Sequence, residues 1–134
     1  MRSIEVDLNA IRSNYAALRA AFAPAKVMAV VKANAYGHGM VEVASALEQA
    51  GVDALGVADF EEATALRAAG IKTRIMCWLL GEAADYQAAA ELGIELGIST
   101  FEQLAVKLKL HAVFSYNFDQ LCLSERSRQL TGIG

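Results

Sequence analysis

The chain opens with apolar residues three or four positions apart, the spacing of one face of a helix. These positions are Leu8, Ile11, Tyr15, Leu18 and Phe22. Asp7 stands just before them, where a capping side chain is favoured, and Pro24 follows the last of them. The pattern predicts an amphipathic helix that begins after Asp7, packs its apolar face against the rest of the fold and stops before Pro24.

After Pro24 the pattern changes to short apolar runs separated by helical segments. Residues 26–31 form the first run, bounded by Pro24 and the polar segment that starts at Lys32, and they suit a strand buried on both faces. Further runs follow at intervals of about twenty residues, each directly after a glycine suited to the left-handed position behind a helix. They are residues 52–57 after Gly51, residues 71–80 after Gly70 and residues 94–98 after Gly93.

Two helix starts carry the spacing of a capping box. Asp59 is followed three positions later by Glu62, and Ser99 by Glu102. Strand and helix therefore alternate four times, which predicts right-handed crossovers and a parallel sheet. An open doubly wound sheet and a (β/α)8 barrel both begin in this way, so the pattern leaves these two folds open.

The composition changes abruptly after Ala105. Residues 1–105 contain 25 alanines with 8 basic and 13 acidic residues, whereas residues 106–134 contain one alanine with 4 basic and 2 acidic residues. Residues 106–110 alternate like a half-buried strand, but residues 114–134 show no sustained period. The sequence therefore divides into a domain of about four strand-helix units, residues 1–105, and a distinct tail, residues 106–134.

The overall composition fits a folded domain, with 55% hydrophobic residues and a net charge of −3. No block of like charges suggests nucleic acid or an anionic membrane as a partner. The first residues mix charged and apolar side chains, and no apolar run approaches the roughly 20 residues that cross a bilayer, so we expect a cytoplasmic protein. Cys77 and Cys122 lack metal-ligand spacing, and we expect two small thiols and no metal site.

Lys32 is the residue best placed for chemistry. It directly follows a predicted buried strand and precedes a short loop that contains Gly37 and Gly39, and α/β proteins place reacting groups at the carboxyl ends of parallel strands. Desolvation there disfavours the ammonium form and frees the amine to attack an aldehyde. Lys32 is thus a candidate for forming a Schiff base, although on spacing alone a solvated strand-end cation is the more common role.

The segment AVVKANAYGHG, residues 29–39, resembles the pyridoxal-phosphate attachment site of alanine racemases over consecutive positions, not only at a lysine and a glycine. Two flanking regions are similar to the same family. The first comprises Glu5-Val6-Asp7-Leu8, Ala10-Ile11, Asn14 and Leu18-Arg19; the second comprises Val57-Ala58, Glu61-Glu62-Ala63, Leu66-Arg67 and Gly70-Ile71. The resemblance covers about residues 1–105, and the tail departs from it.

The resemblance implies a partial (β/α)8 barrel of the TIM type, truncated after about four strand-helix units, that binds pyridoxal 5′-phosphate at its mouth. In the family this barrel is joined to a C-terminal β domain and works as a homodimer. Lys32 would hold the cofactor and then act as the base for one enantiomer, and Tyr36 matches the tyrosine whose hydroxyl meets the cofactor phosphate. The implied activity interconverts L-alanine and D-alanine, which supplies D-alanine for peptidoglycan.

The residues around Lys32 also have ordinary structural explanations. Tyr36 alone would be a packed ring with a hydrated hydroxyl, and Gly37 and Gly39 suit a tight loop or a helix entry. A hydrogen-bonded structural role for His38 is more common than a catalytic one. Trp78 falls in the third strand region, where side chains of the family line the cofactor pocket, but a strand tryptophan is a core residue by default.

The sequence leaves more than one functional interpretation. The family's next landmarks are an Asp-Thr-Gly stretch, the arginine that faces the pyridine nitrogen, a glycine-rich phosphate loop and a second catalytic tyrosine, and none is found after Ala105. The alternative to a racemase is therefore a catalytically inactive truncated fragment with weak cofactor binding or self-association through exposed edges. Single-domain pyridoxal-phosphate homeostasis proteins and decarboxylases of the same barrel type differ from this chain around the lysine.

Overall fold

Five parallel strands form one sheet in the order in which they occur along the chain. The computed structural model describes residues 4–80 and 85–105, together with the backbone of residues 121–123. The strands are β1 (Met28–Val30), β2 (Ala54–Val57), β3 (Ile75–Cys77), β4 (Ile94–Ile98) and β5 (Leu121–Leu123). An unbroken order β1-β2-β3-β4-β5 is that of a (β/α) barrel, because a doubly wound sheet reverses its strand order at a switch point.

Helices connect the strands, which confirms the predicted alternation. They are α1 (Leu8–Ala21), α2 (Lys32–Gly37), α3 (Met40–Gln49), α4 (Phe60–Ala68) and α5 (Tyr86–Glu91), and residues 101–105 are also helical. The core lies between the sheet and the helices, where Leu55, Leu66 and Ile75 are completely buried. None of the helices in the described part of the chain is long and apolar enough to cross a membrane.

Strand register decides which side chains meet the helices. Leu55 pairs with Ile75 and Ile75 with Ile94, and this row is buried against the helices. The alternate residues face the opposite side, which we call the second face of the sheet. Met28 and Val30 lie on it and are each 40% exposed. The prediction that the first strand is buried on both faces is therefore wrong, because among the described residues the helices cover only one face.

The strands are shorter than the apolar runs that predicted them, except for β4, which matches residues 94–98. The difference lies mainly at the amino ends, where the chain first completes the end of the preceding helix. The amide of Val52 donates to the carbonyl of Leu47 at 3.1 Å, and the amide of Ile71 donates to that of Leu66 at 3.1 Å. These residues belong to helix caps in which Gly51 and Gly70 have positive φ, as does Gly93 at the next helix end, and the predicted glycine positions are confirmed.

The predicted helix starts are partly confirmed. Asp7 caps α1, and the Asp59 carboxylate accepts a hydrogen bond from the amide of Glu62 at 2.9 Å. The capping box predicted at Ser99 lies one residue later: Thr100 Oγ1 accepts from the amide of Gln103, and the Gln103 side chain accepts from the amide of Ser99. Ser99 with Glu102 and Thr100 with Gln103 both have the spacing of a capping box, so only the backbone conformation shows which pair forms it.

Helix α1 uses only part of its predicted apolar face. Tyr15 is 5% exposed and its hydroxyl donates to the carbonyl of Gly51 at 2.9 Å, at the end of α3. Leu18 and Phe22 are 52% and 63% exposed, contrary to the prediction. The reason is that α1 packs across α3 and not along the sheet, so its last turns pass beyond the core.

The tail supplies one strand that the pattern did not predict. Strand β5 pairs parallel with β4, with Leu96 opposite Leu121 and Ile98 opposite Leu123. Three residues are too few to reveal a period in the sequence. The strand predicted at residues 106–110 lies outside the described residues.

Candidate active site

The carboxyl ends of the strands meet at one edge of the sheet because all the strands are parallel. Lys32 follows β1 at this edge, and Ala58 follows β2. Hydrogen bonds join the neighbouring loops: the amide of Leu79 donates to the Ala58 carbonyl at 2.7 Å, and the Gln103 side chain donates to the Leu80 carbonyl at 3.4 Å. The candidate site therefore rests on loops that are connected to one another.

Helix α2 begins at Lys32 and is a turn of left-handed backbone. Residues 33–36 have φ between 51° and 55° and ψ between 35° and 50°, although none of them is glycine. Left-handed geometry costs an L-residue roughly 1–2 kcal/mol, so four such residues represent about 4–8 kcal/mol. Strain of this size persists only where the surroundings enforce it, and it concentrates at functional sites. We call residues 33–36 the left-handed turn.

Hydrogen bonds from the turn and its flanks hold this conformation. The amide of Ala35 donates to the Val31 carbonyl at 2.9 Å, and the amide of Gly39 donates to the Asn34 carbonyl at 3.0 Å. The Asn34 side chain accepts from the amide of Met40 at 2.8 Å and so joins the turn to the start of α3. Asparagine adopts left-handed geometry more readily than most residues, which explains its place here.

Glu62 attaches the turn to the rest of the fold. Its Oε1 accepts from the amide of Ala33 at 2.6 Å, and its Oε2 accepts from the amide of Ala58 at 2.9 Å. In a complete capping box the Glu62 carboxylate would accept from the amide of Asp59. This hydrogen bond is not formed, because the carboxylate accepts from the amides of Ala33 and Ala58 instead. The sequence contained no signal for this role, since Glu61 and Glu62 both suit the first turn of a helix.

Of the two predicted site residues, Lys32 directly precedes the left-handed turn and Tyr36 is its last residue. Lys32 is partly buried, and within the described residues its ammonium has no salt bridge. Tyr36 is 61% exposed. His38 points back into the turn, with Nδ1 2.9 Å from the Ala35 carbonyl. Because a carbonyl only accepts, Nδ1 must carry the proton, and this contact fits the structural role for His38.

Trp78 lies on the second face of the sheet and not in the core beside the helices. A Cβ added at Gly56 would lie 2.6 Å from Cζ3 of the indole and 3.1 Å from Sδ of Met28. A Cβ added at Gly97 would lie 3.1 Å from Cα of Trp78. Glycines in β2 and β4 thus make room for Trp78, whose ring covers the sheet next to the edge that carries Lys32.

Cys77 is completely buried on the helix side, as expected for a small structural thiol. Burial raises its pKa to about 11, so the thiol is protonated at neutral pH. The side chain of Cys122 lies outside the described residues. In the part of the chain that the structure describes, no group of three or more histidine, cysteine, aspartate or glutamate residues could hold a metal ion.

The donor set at the carboxyl edge fits the cofactor that the resemblance implies. Lys32 offers a primary amine, which forms a covalent bond with an aldehyde, and Tyr36 offers an exposed hydroxyl, which can donate to a phosphate. Both groups lie on one short segment, residues 32–36, whose backbone hydrogen bonds set the spacing of the two residues.

The sequence of the chain is similar to those of known alanine racemases. The family model described as the alanine racemase N-terminal domain matches residues 6–114. The chain is 48% identical over 93 residues to an alanine racemase of Corynebacterium efficiens and 45% identical over 101 residues to one of Salinispora tropica. These matches cover 69% and 75% of this chain but 25% and 27% of the relatives, so the chain spans about a quarter of their length.

Solved structures agree with this match. The alanine racemase of a D-cycloserine-producing Streptomyces lavendulae superposes with a TM-score of 0.74 at 44% identity, over 81% of this chain and 28% of the other. The alanine racemase of Bartonella henselae, solved with covalently bound pyridoxal phosphate, superposes with a TM-score of 0.79 at 29% identity, over 93% of this chain and 38% of the other. The chain therefore belongs to the alanine racemase family and corresponds to part of its N-terminal domain.

Proposed function

We propose that residues 1–105 form the N-terminal part of a pyridoxal-phosphate barrel that interconverts L-alanine and D-alanine, with residues 106–134 as a tail that adds β5 to the same sheet. The observation that carries the proposal is the position of Lys32, directly before a strained turn on the carboxyl edge of a parallel sheet. The bound pyridoxal phosphate of the Bartonella henselae relative supports the choice of cofactor.

Each residue of the site has a defined task in this proposal. Lys32 Nζ holds the cofactor, and when it is released by the substrate it accepts the α-proton from one face of alanine. Tyr36 Oη donates a hydrogen bond to the phosphate. When bound, the cofactor supplies an aldehyde for the substrate amine and a ring that delocalises the charge left by the departing proton. The left-handed turn keeps Lys32 and Tyr36 in fixed positions for both tasks.

The wider role follows the family. The proposed substrate is alanine, the proposed assembly is a homodimer, and the proposed setting is the cytoplasm, where D-alanine is made for peptidoglycan. A second candidate is a chain that attaches the cofactor without racemising alanine. The matched region carries Lys32, the residue that this candidate needs, and it corresponds to 25% and 27% of the two curated relatives.

Reductive trapping tests the cofactor site directly. The purified chain is incubated with pyridoxal phosphate, reduced with borohydride and digested, and the modified lysines are mapped by mass spectrometry. We expect selective labelling of Lys32 and a visible absorption band that the Lys32→Ala variant lacks. Lys26 and Lys72 are exposed and serve as internal references for non-specific labelling. Equal labelling of all three lysines in the unmodified chain, with the absorption band unchanged in the variant, would refute the proposed site.

A racemisation assay then distinguishes the two candidates. Chains with and without pyridoxal phosphate, neither of them treated with borohydride, are incubated with L-alanine in deuterated water, and the appearance of D-alanine and of α-deuterium is followed. Formation of D-alanine that depends on Lys32 supports the racemase. Selective labelling of Lys32 without deuterium exchange identifies the second candidate, a chain that holds the cofactor without turnover.

A further inference from the structure

We infer that Glu62 is a positioning residue for Lys32, because its carboxylate fixes the left-handed turn to the carboxyl end of β2. The inference rests on the proposed function, in which Lys32 holds the cofactor. Glu62 lies in the first turn of α4, 29 residues away from Ala33 along the chain, and it bonds the amide directly after Lys32. Its effect on Lys32 therefore passes through the backbone and not through contact with a ligand.

The geometry requires both oxygens of an ionised carboxylate. Oε1 accepts from the amide of Ala33 at 2.6 Å, and Oε2 accepts from the amide of Ala58 at 2.9 Å. A carboxylate accepts at both oxygens, whereas a glutamine side chain has one oxygen and an NH₂ group that only donates. A glutamine at this position would leave one of the two amides without an acceptor, at a site that carries the strained backbone of residues 33–36.

The two hydrogen bonds that Glu62 accepts from Ala33 and Ala58, which we call the Glu62 bridge, connect three parts of the candidate site. Ala33 starts the left-handed turn after β1, Ala58 follows β2, and the amide of Glu62 donates to the Asp59 side chain at 2.9 Å. The Ala58 carbonyl also accepts from Leu79 at 2.7 Å, so the same peptide region links onward to the loop after β3. Glu62 thus joins the position of Lys32 to the sheet, which is the rigid part of the fold.

The test compares Glu62→Gln with Glu61→Gln in the full chain. Both variants remove one negative charge from the first turn of α4, but Glu61 is exposed, which makes it the matched control. For Glu62→Gln we expect the amide hydrogen exchange of Ala33 to become about tenfold faster, and the ratio of Lys32 to Lys26 labelling by pyridoxal phosphate and borohydride to fall about tenfold. Thermal melting of Glu62→Gln is expected to stay close to that of Glu61→Gln.

Two further variants keep the inference open to refutation. Glu62→Asp retains the charge but is too short to reach both amides, and it replaces Glu62→Gln if that variant does not fold. Ala33→Gly relieves the left-handed strain, so adding it to Glu62→Gln should restore part of the Lys32 labelling. A folded Glu62 variant with unchanged Ala33 exchange and unchanged labelling overturns the inference, as does a double variant without recovery.

The exchange measurement separates this inference from the proposed function. If Lys32 is not labelled in the unmodified chain, the proposed cofactor site is wrong. The exchange rate of Ala33 in the absence of cofactor still decides whether Glu62 holds the turn. Faster exchange confined to residues near Ala33 supports the bridge, and a uniform increase over the whole chain contradicts it because it reports global loss of stability.

Discussion

The two edges of the sheet differ in the contacts that their cationic side chains make. At the amino edge, Arg67 donates to the backbone carbonyls of four residues at distances between 2.8 and 3.0 Å; these residues are Ile71, Thr73, Leu92 and Gly93. At the carboxyl edge, Glu62 accepts from two backbone amides, while Lys32 has no salt bridge to any described residue. The cation at the amino edge therefore stabilises the fold, whereas the absence of such contacts at Lys32 among the described residues is consistent with the reactive amine proposed above.

Other charged residues at the amino edge also form hydrogen bonds that stabilise the fold. Glu48 accepts from the amides of Lys72 and Thr73 at 2.7 Å each, and Arg74 forms a bidentate pair with Glu95 at 2.7 and 3.0 Å. The hydrogen bond from Arg74 to Glu95 raises the pKa of the Arg74 guanidinium. The comparison agrees with the general division in (β/α) barrels, in which the amino side stabilises the fold and the carboxyl side carries the reactive groups.

The largest expected effect comes from breaking the amino edge at Arg67. Arg67→Met removes the donor from four backbone carbonyls, of which those of Ile71 and Thr73 are partly buried, and we expect a loss of about 2–4 kcal/mol in the free energy of unfolding, measured by urea denaturation. Arg12→Met is the control, because Arg12 donates to one backbone carbonyl at 3.4 Å and otherwise to exposed side chains. A loss no greater than that of the control would contradict the assigned role.

An intermediate effect is expected at Gly56, which lies within β2 between the two edges of the sheet. Gly56→Ala places a methyl group 2.6 Å from the Trp78 ring, and we expect about 1–3 kcal/mol of destabilisation by urea denaturation as the ring is displaced. Adding Trp78→Leu removes the clash, so the double variant should lose less stability than the sum of the single variants. Strict additivity would mean that Trp78 does not lie against Gly56.

The smallest effect is expected from Glu48 and depends on pH. Burial alone would raise the pKa of Glu48, but hydrogen bonds from Thr73 and Lys72 outweigh it and lower the pKa below its ordinary value. Ionised Glu48 therefore stabilises the fold above the unfolded-state pKa of about 4.3, and this contribution is lost as the pH falls through the lowered folded-state pKa. Melting temperatures recorded between neutral and acidic pH measure this loss.

Two variants make that pH measurement specific. Glu48→Gln should be less stable than the unmodified chain at neutral pH, and the difference should shrink as the pH falls. Glu5→Gln is the control, because Glu5 is exposed and lies outside the helices and strands. A difference for Glu48→Gln that stays constant with pH would exclude ionisation as its cause.

Much of the fold could be predicted because its signals are local. The N-caps at Asp7 and Asp59 act within three residues, and the glycine that ends each helix needs only its own backbone freedom. The apolar runs gave the strands in the correct order but not their ends. Strand β5 was missed, and the exposure of Leu18 was not foreseen, because both depend on which elements pack together.

The candidate site could be predicted only in part. The sequence placed Lys32 and Tyr36 on one segment after a strand, and the resemblance to alanine racemases suggested their tasks. It did not predict the left-handed geometry of residues 33–36, because only Asn34 among them favours it. It also misinterpreted Glu62 as half of a capping box and Trp78 as a core residue by default.

What the sequence determined by itself is the alternation of strands and helices, the caps at Asp7 and Asp59, the glycines that end the helices and the segment that carries the candidate lysine. Each of these follows from periodicity or from contacts between near neighbours. The tertiary structure alone decided that Glu62 reaches Ala33 across 29 residues and that Trp78 covers Gly56 on the second face of the sheet. Such contacts exist only after parallel pairing has brought the carboxyl ends of separate strands to one edge. No local sequence pattern indicates which residues far apart along the chain will then meet.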